Sequence, residues 1–144
     1  MHSKYDSSLI IISEYKKQLF DLIDSKWPNQ IKDFVEFIIE NLYKEPLNIQ
    51  DANQACLIKS KNFSSKFKIY VGTTPNKFIL EHRINVSKKL LIKRDLTIAE
   101  VSILVGFSSH SAFSKAFIRD SEGISPSIWQ EKILIKNPDK HQAC

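Results

Sequence analysis

The sequence predicts an all-α protein, in which two helix-turn-helix subdomains are joined by a long connecting helix. Three observations carry this expectation. The 144 residues hold only three glycines and few Val-Thr alternations, which leaves little material for tight hairpins. Leu, Ile and Lys are frequent, and apolar residues recur four apart, the spacing of a helix face. The chain also repeats itself at an offset of roughly fifty residues, since LNIQDANQACLI from Leu47 returns as LTIAEVSILVGF from Leu96. With 42% hydrophobic and 26% charged residues the composition is that of a globular domain with a real core.

Residues 1–29 form an N-terminal extension. Leu19, Phe20, Leu22, Ile23 and Trp27 alternate with Lys and Asp in a helix-like way as far as Pro28, which reads either as the end of a linker helix or as a helix docked on the neighbouring domain. The apolar run LIII from Leu9 to Ile12 is too short to span a bilayer, and Glu14, Lys16, Lys17, Asp21 and Asp24 interrupt its continuation. Neither export nor a membrane is expected, and the chain is placed in the cytoplasm.

The first unit, residues 30–75, contains the first copy of the repeat. Leu47, a polar cap at Asn48, Ile49 and an acid at Asp51 open a helix, and Phe63 and Phe67 lie four apart on one face of the next. Gly72 stops that helix, and Thr74-Pro75 sets an N-cap before a proline at the first helical position. Residues 76–94 come next as one connecting helix, with Phe78, Ile79, Ile84, Val86, Leu90, Leu91 and Ile92 suited to packing on both sides. The second unit, residues 95–132, restates the first more strictly. Thr97 and Glu100 form a capping box, Gly106 supplies a left-handed turn, Phe113 and Phe117 repeat the phenylalanine pair, and Ser125-Pro126 repeats the cap. Leu57 stands where the second copy has Gly106. Residues 133–144 are a polar tail.

Charge and chemistry narrow the function. The net charge of +5 is modest, but from Ile58 to Arg94 ten basic residues face a single acid, Glu81, so the middle of the molecule carries a positive field. Cys56 lies in an apolar run and Cys144 is the last residue, so no disulfide framework is expected. His141 and Cys144 are two ligands where zinc needs about four, so neither metal nor cofactor is expected. His2, His82, His110 and His141 have no nucleophile or paired acid at a suggestive spacing, and no enzyme is expected. Cys56, Phe63, Phe67, Phe107, Phe113, Phe117 and Trp129 read as core.

The stretch VGFSSHSAFSKAF from Val105 then stands out, because folding requires its phenylalanines but not Ser109, His110, Ser111, Ser114 and Lys115 around them. Two helix-turn-helix units on one chain place two second helices where each is able to enter a major groove of double-stranded DNA. Here the sequence resembles the AraC/XylS family of bacterial transcription regulators over about Ile31 to Lys132. The resemblance is most specific in LTIAEVSILVGFSSHSAFSKAFIRDSEGISPSIW, from Leu96 to Trp129: an Ile-Ala start, a GF turn, serine, the phenylalanine pair, then G-x-S-P before an aromatic. The first unit fits more loosely, with Leu57 in place of the turn glycine and Lys59-Ser60-Lys61 where the family begins its first recognition helix.

The resemblance implies a seven-helix DNA-binding domain over residues 30–132, reading two successive major grooves on one DNA face. The first recognition helix would present Ser60, Lys61, Asn62, Ser64 and Ser65, and the second Ser109, His110, Ser111, Ser114 and Lys115. Lys66, Lys68 and Arg119 are expected on phosphates, where charge contributes without a base partner. The implied function is a sequence-specific transcription regulator, most often an activator in the family, with RNA polymerase as a protein partner. Dimerisation would run through the N-terminal segment or a domain outside this chain. A different class remains open: a helical protein-interaction module that has kept the fold and lost DNA reading, with Leu57 as its best support.

Overall fold

The computed structural model describes residues 4–44, 47, 49–59 and 61–136. Among them run eight helices and no strand: α1 (Lys4–Asp21), α2 (Asn29–Glu40), α3 (Ile49–Ala55), α4 (Phe63–Val71), α5 (Pro75–Lys93), α6 (Ile98–Leu104), α7 (His110–Asp120) and α8 (Pro126–Lys136). The all-α architecture expected from glycine scarcity and four-residue spacing is what forms.

Each unit is built on a phenylalanine pair. In the first, Phe63 and Phe67 of α4 pack on Phe34 of α2 with ring centroids 4.8 and 5.7 Å away, and Phe67 also meets Phe78 of α5 edge-on. In the second, Phe113 and Phe117 of α7 sit between Phe107 and Trp129 in successive edge-on contacts. Between them α5 is buried on more than one side, since Phe78, Ile84, Val86, Leu90 and Leu91 cannot share a single stripe. Its N-cap Thr74 accepts from the Lys77 amide and Pro75 follows at the first helical position. At the far end, Gln130 Nε2 of α8 donates to the Leu91 carbonyl at 2.7 Å, and Lys88 lies 3.5 Å from Asp120.

Arg83 joins the units through the connecting helix. Its Nε donates to the Leu42 carbonyl at 2.7 Å and its Nη2 to the Lys44 carbonyl at 3.1 Å, just past the end of α2. The same guanidinium lies over the Phe107 ring, in the turn of the second unit. One buried side chain therefore touches both.

Helix α1 docks on α2 and α5. Ile12, Tyr15 and Leu19 enter the core at helical spacing. Tyr15 Oη is 2.8 Å from His82 Nδ1 on α5, Lys16 Nζ donates to the Glu40 carbonyl of α2, and Tyr5 Oη donates to the Glu100 carboxylate of α6. Burial pushes the Tyr15 hydroxyl above its ordinary value and the His82 imidazole below its own.

The structure corrects the sequence at three helix ends. The helical pattern read as far as Pro28 stops at Asp21, because Asp24 Oδ1 accepts from the Lys26 amide and the Asp24 carbonyl from the Trp27 amide, a local turn that competes with the helix. The tail placed at residue 133 begins inside α8, which continues to Lys136 with Ile133 and Leu134 half-buried. In the first unit α4 starts at Phe63, so Lys61 and Asn62 lie in the turn before it rather than on it. Asn62 occupies the cap position with φ −94° and ψ 10° and makes no side-chain cap bond, unlike the extended Ser109 ahead of α7. Asn48, Ser60, His2, His141 and Cys144 lie outside the described residues.

Candidate nucleic-acid interface

The two helix-turn-helix turns have the same hydrogen-bond geometry. After α6, the Gly106 amide donates to the Ile103 carbonyl and the Phe107 amide to that of Ser102. After α3, the Leu57 amide donates to Gln54 and the Ile58 amide to Asn53, at identical offsets. Both are Schellman closures, which require a left-handed residue just past the helix, and Gly106 and Leu57 have φ of +97° and +56°. Leucine is tolerated in the first unit because its side chain points into solvent, 77% exposed. Gly106 has no such room. A Cβ there would lie 3.0 Å from both Arg83 Nε and Cζ and from the Tyr43 carbonyl carbon.

Beyond its turn each second helix turns its phenylalanines inward and its polar residues outward. Phe113 and Phe117 are fully buried, while His110, Ser111, Lys115 and Arg119 are exposed and Ser114 is half-buried. Ser109 is the N-cap of α7, its Oγ accepting from the Ala112 amide at 3.0 Å, so its hydroxyl proton is what it has to offer a ligand. His110 and Ser111 are the first two residues of α7, next to its cap. On α4, Ser64, Ser65, Lys66 and Lys68 are exposed, as are Lys61 and Asn62 in the turn before it.

Sequence reasoning missed three exposed apolar residues on these helices. Ile69, 79% exposed, lies one turn beyond Ser65, Tyr70, 41% exposed, lies one turn beyond Lys66, and Ile118, 39% exposed, lies seven residues beyond Ser111. Helical spacing from the polar residues already singled out would have found all three. It also missed the space between the units, where α5 and α7 leave two adjoining cavities of about 350 and 260 Å³.

Among the described residues, no group of three or more His, Cys, Asp or Glu side chains is placed to hold a metal ion, and no helix is long and apolar enough to cross a membrane. Burial, then the Asp33 and Glu36 carboxylates, push the Cys56 thiol up, the opposite of what a reactive cysteine needs.

Residues 54–132 match the family model described as "Helix-turn-helix domain". Among curated proteins the chain is similar to a probable transcriptional regulator, LumQ of Photobacterium leiognathi, at 27% identity over 123 residues, 85% of this chain and 45% of that protein. It is also similar to the lactose operon transcription activator of Staphylococcus xylosus, at 27% identity over 92% of this chain and 50% of that protein. The chain thus spans about half the length of these relatives, and the second match takes in at least part of α1. Among solved structures, the fold resembles the DNA-binding domain of AdpA, a global transcriptional factor crystallised with a target DNA. The TM-score is 0.68 at 21% identity, over 77% of this chain and 98% of that one.

Proposed function

The chain belongs to the AraC-type helix-turn-helix family, and from that premise we propose that it is a sequence-specific, double-stranded-DNA-binding transcription regulator that inserts α4 and α7 into successive major grooves. The observation that carries this reading is the duplication. Two turns with the same closure each lead into a helix that buries its phenylalanines and exposes small polar and basic residues, with Ile69 and Ile118 exposed among them. Small side chains let the helix backbone approach the groove, and hydroxyl, imidazole and ammonium groups meet base edges and phosphates.

In this reading His110 and Ser111, at the start of α7, meet base edges, as the first residues of a recognition helix do. Ser109, Ser114 and Lys115 flank them, and Ser60, Lys61, Asn62, Ser64 and Ser65 serve the first groove. Lys66, Lys68 and Arg119 hold phosphates and supply salt-sensitive affinity. We assign the role of activator, in keeping with the name of the Staphylococcus xylosus relative, with RNA polymerase as protein partner. Pairing with a second copy is assigned to the N-terminal segment or a domain outside this chain, and the working compartment to the cytoplasm. The rival interaction-module reading loses its main ground, because Leu57 keeps the left-handed turn that Gly106 makes.

Selection of bound duplexes from a random DNA pool tests the proposal. The expected motif has two clusters of fixed base pairs about one helical turn, roughly 10 bp, apart. Absence of any enriched sequence would give the fold to the interaction module. On the selected site, His110→Ala with Ser111→Ala should lower discrimination at one or two base pairs by about 1–3 kcal/mol per lost contact while leaving the helix folded. A double variant with the wild-type profile against single-base changes removes both residues from the reading face.

A further inference from the structure

The two cavities between the units share Leu80, Ala116 and Arg119, so they are one trough. It runs from Thr73, just past the end of α4, along α5 to the Gly106–Ser108 turn ahead of α7. It therefore spans the gap between the two recognition helices. Its floor is apolar, with Leu80, Ala112 and Ala116, and its walls carry exposed cations, Lys115 and Arg119 on α7 and Lys77 at the start of α5. No acid lines the larger cavity. Of the two acids on the smaller one, Asp120 has its charge offset by Lys88 at 3.5 Å, which leaves Glu81 facing the trough.

We propose that this trough seats the sugar–phosphate backbone that separates the two major grooves. The proposal rests on the DNA-reading function above. A duplex read by two helices in consecutive grooves must pass a ridge of backbone between them, and this ridge has the trough's chemistry: deoxyribose C–H groups against Leu80, Ala112 and Ala116, phosphates against Lys77, Lys115 and Arg119. The small side chains of α7 keep the trough open. The ridge gives the protein a third anchor, which reads no sequence but fixes how far each helix enters its groove.

The test places one uncharged methylphosphonate at each phosphate of the selected site in turn and measures the affinity of the 144-residue chain. Substitution at one or two phosphates midway between the base-contact clusters should weaken wild-type binding about tenfold, the scale of one charge-assisted hydrogen bond. Arg119→Ala should weaken the unmodified site similarly and lose its sensitivity to one of those positions. Glu81→Gln should tighten binding severalfold without changing the selected motif. Both exchanges are at exposed side chains, so folding is not at stake. If central methylphosphonates are silent while flanking ones are costly, the trough is not the backbone seat, although the DNA reading stands. If no site can be selected, both fall. Benzoate, added without DNA, should leave the Ala112 and Ala116 amide resonances unmoved; shifts there, with silent central methylphosphonates, would give the trough to a small organic anion instead.

Discussion

At the residue scale, the contrast between Gly106 and Leu57 shows what local sequence rules decide and where they stop. Both residues are left-handed, and a turn glycine is legible in sequence because only glycine adopts that conformation without steric cost. What the sequence cannot display is that Arg83, twenty-three positions away, and Tyr43 press against Gly106, whereas the Leu57 side chain is mostly exposed. Gly106→Ala therefore combines a left-handed penalty of about 1–2 kcal/mol with a clash against backbone and guanidinium, and should lower the melting temperature clearly. Leu57→Gly removes the same penalty but loosens the unfolded chain, so its change in stability should stay within about 1 kcal/mol of zero. Paired thermal melts check this. Equal destabilisation in both variants would mean that Arg83 does not make the turn special.

At the element scale, helices whose caps obey local rules were legible and those shaped by distant or irregular partners were not. Thr97 with Glu100 and Thr74-Pro75 fix their helix starts in sequence and do so in the structure, whereas Ser109, expected on the outer face of the helix and not as a residue that folding needs, is the N-cap of α7. The start of α4 was missed because similarity between the units was carried across a stretch where the first lacks an effective cap, and the end of α1 because the Asp24 turn overrides a continuing apolar pattern. The α7 phenylalanines give the plainest element-scale prediction: Phe113→Ala or Phe117→Ala should cost about 3–5 kcal/mol and abolish DNA binding through stability, as read by chemical denaturation. The seam between α1 and α5 predicts a pH response. Because burial holds the folded-state pKa of His82 below its ordinary 6.5, the unfolded chain takes up a proton that the folded chain resists. The stability this histidine contributes is present above pH 6.5 and is lost as pH falls from there toward the folded-state value. His82→Gln should flatten that part of the stability profile relative to wild type; an unchanged slope would place the titration elsewhere.

At the scale of the whole molecule, the central claim is that two reading heads are held at one separation. The repeat made the two units visible in sequence, but their mutual fixing depends on tertiary contacts that no spacing rule contains: Arg83 bridging the α2 end and Phe107, α1 reaching from Glu40 to Glu100, and the trough made by residues as far apart as Leu47 and Arg119. The basic middle of the chain adds a separate expectation. Lys61→Ala or Lys68→Ala should weaken binding to all duplexes and reduce the salt slope by roughly one per lost phosphate contact, and an unchanged slope in both would turn that surface away from DNA. The most direct test of the fixed separation is affinity for the selected site after inserting base pairs between its two halves. Binding should fall to that of a single half-site after an insertion of about 5 bp, which turns one groove to the opposite face. It should not return at about 10 bp, because the face is restored but the span then exceeds what α5 holds. Affinity that is indifferent to insertion, or that recovers at a full turn, would contradict a rigid pair of reading heads.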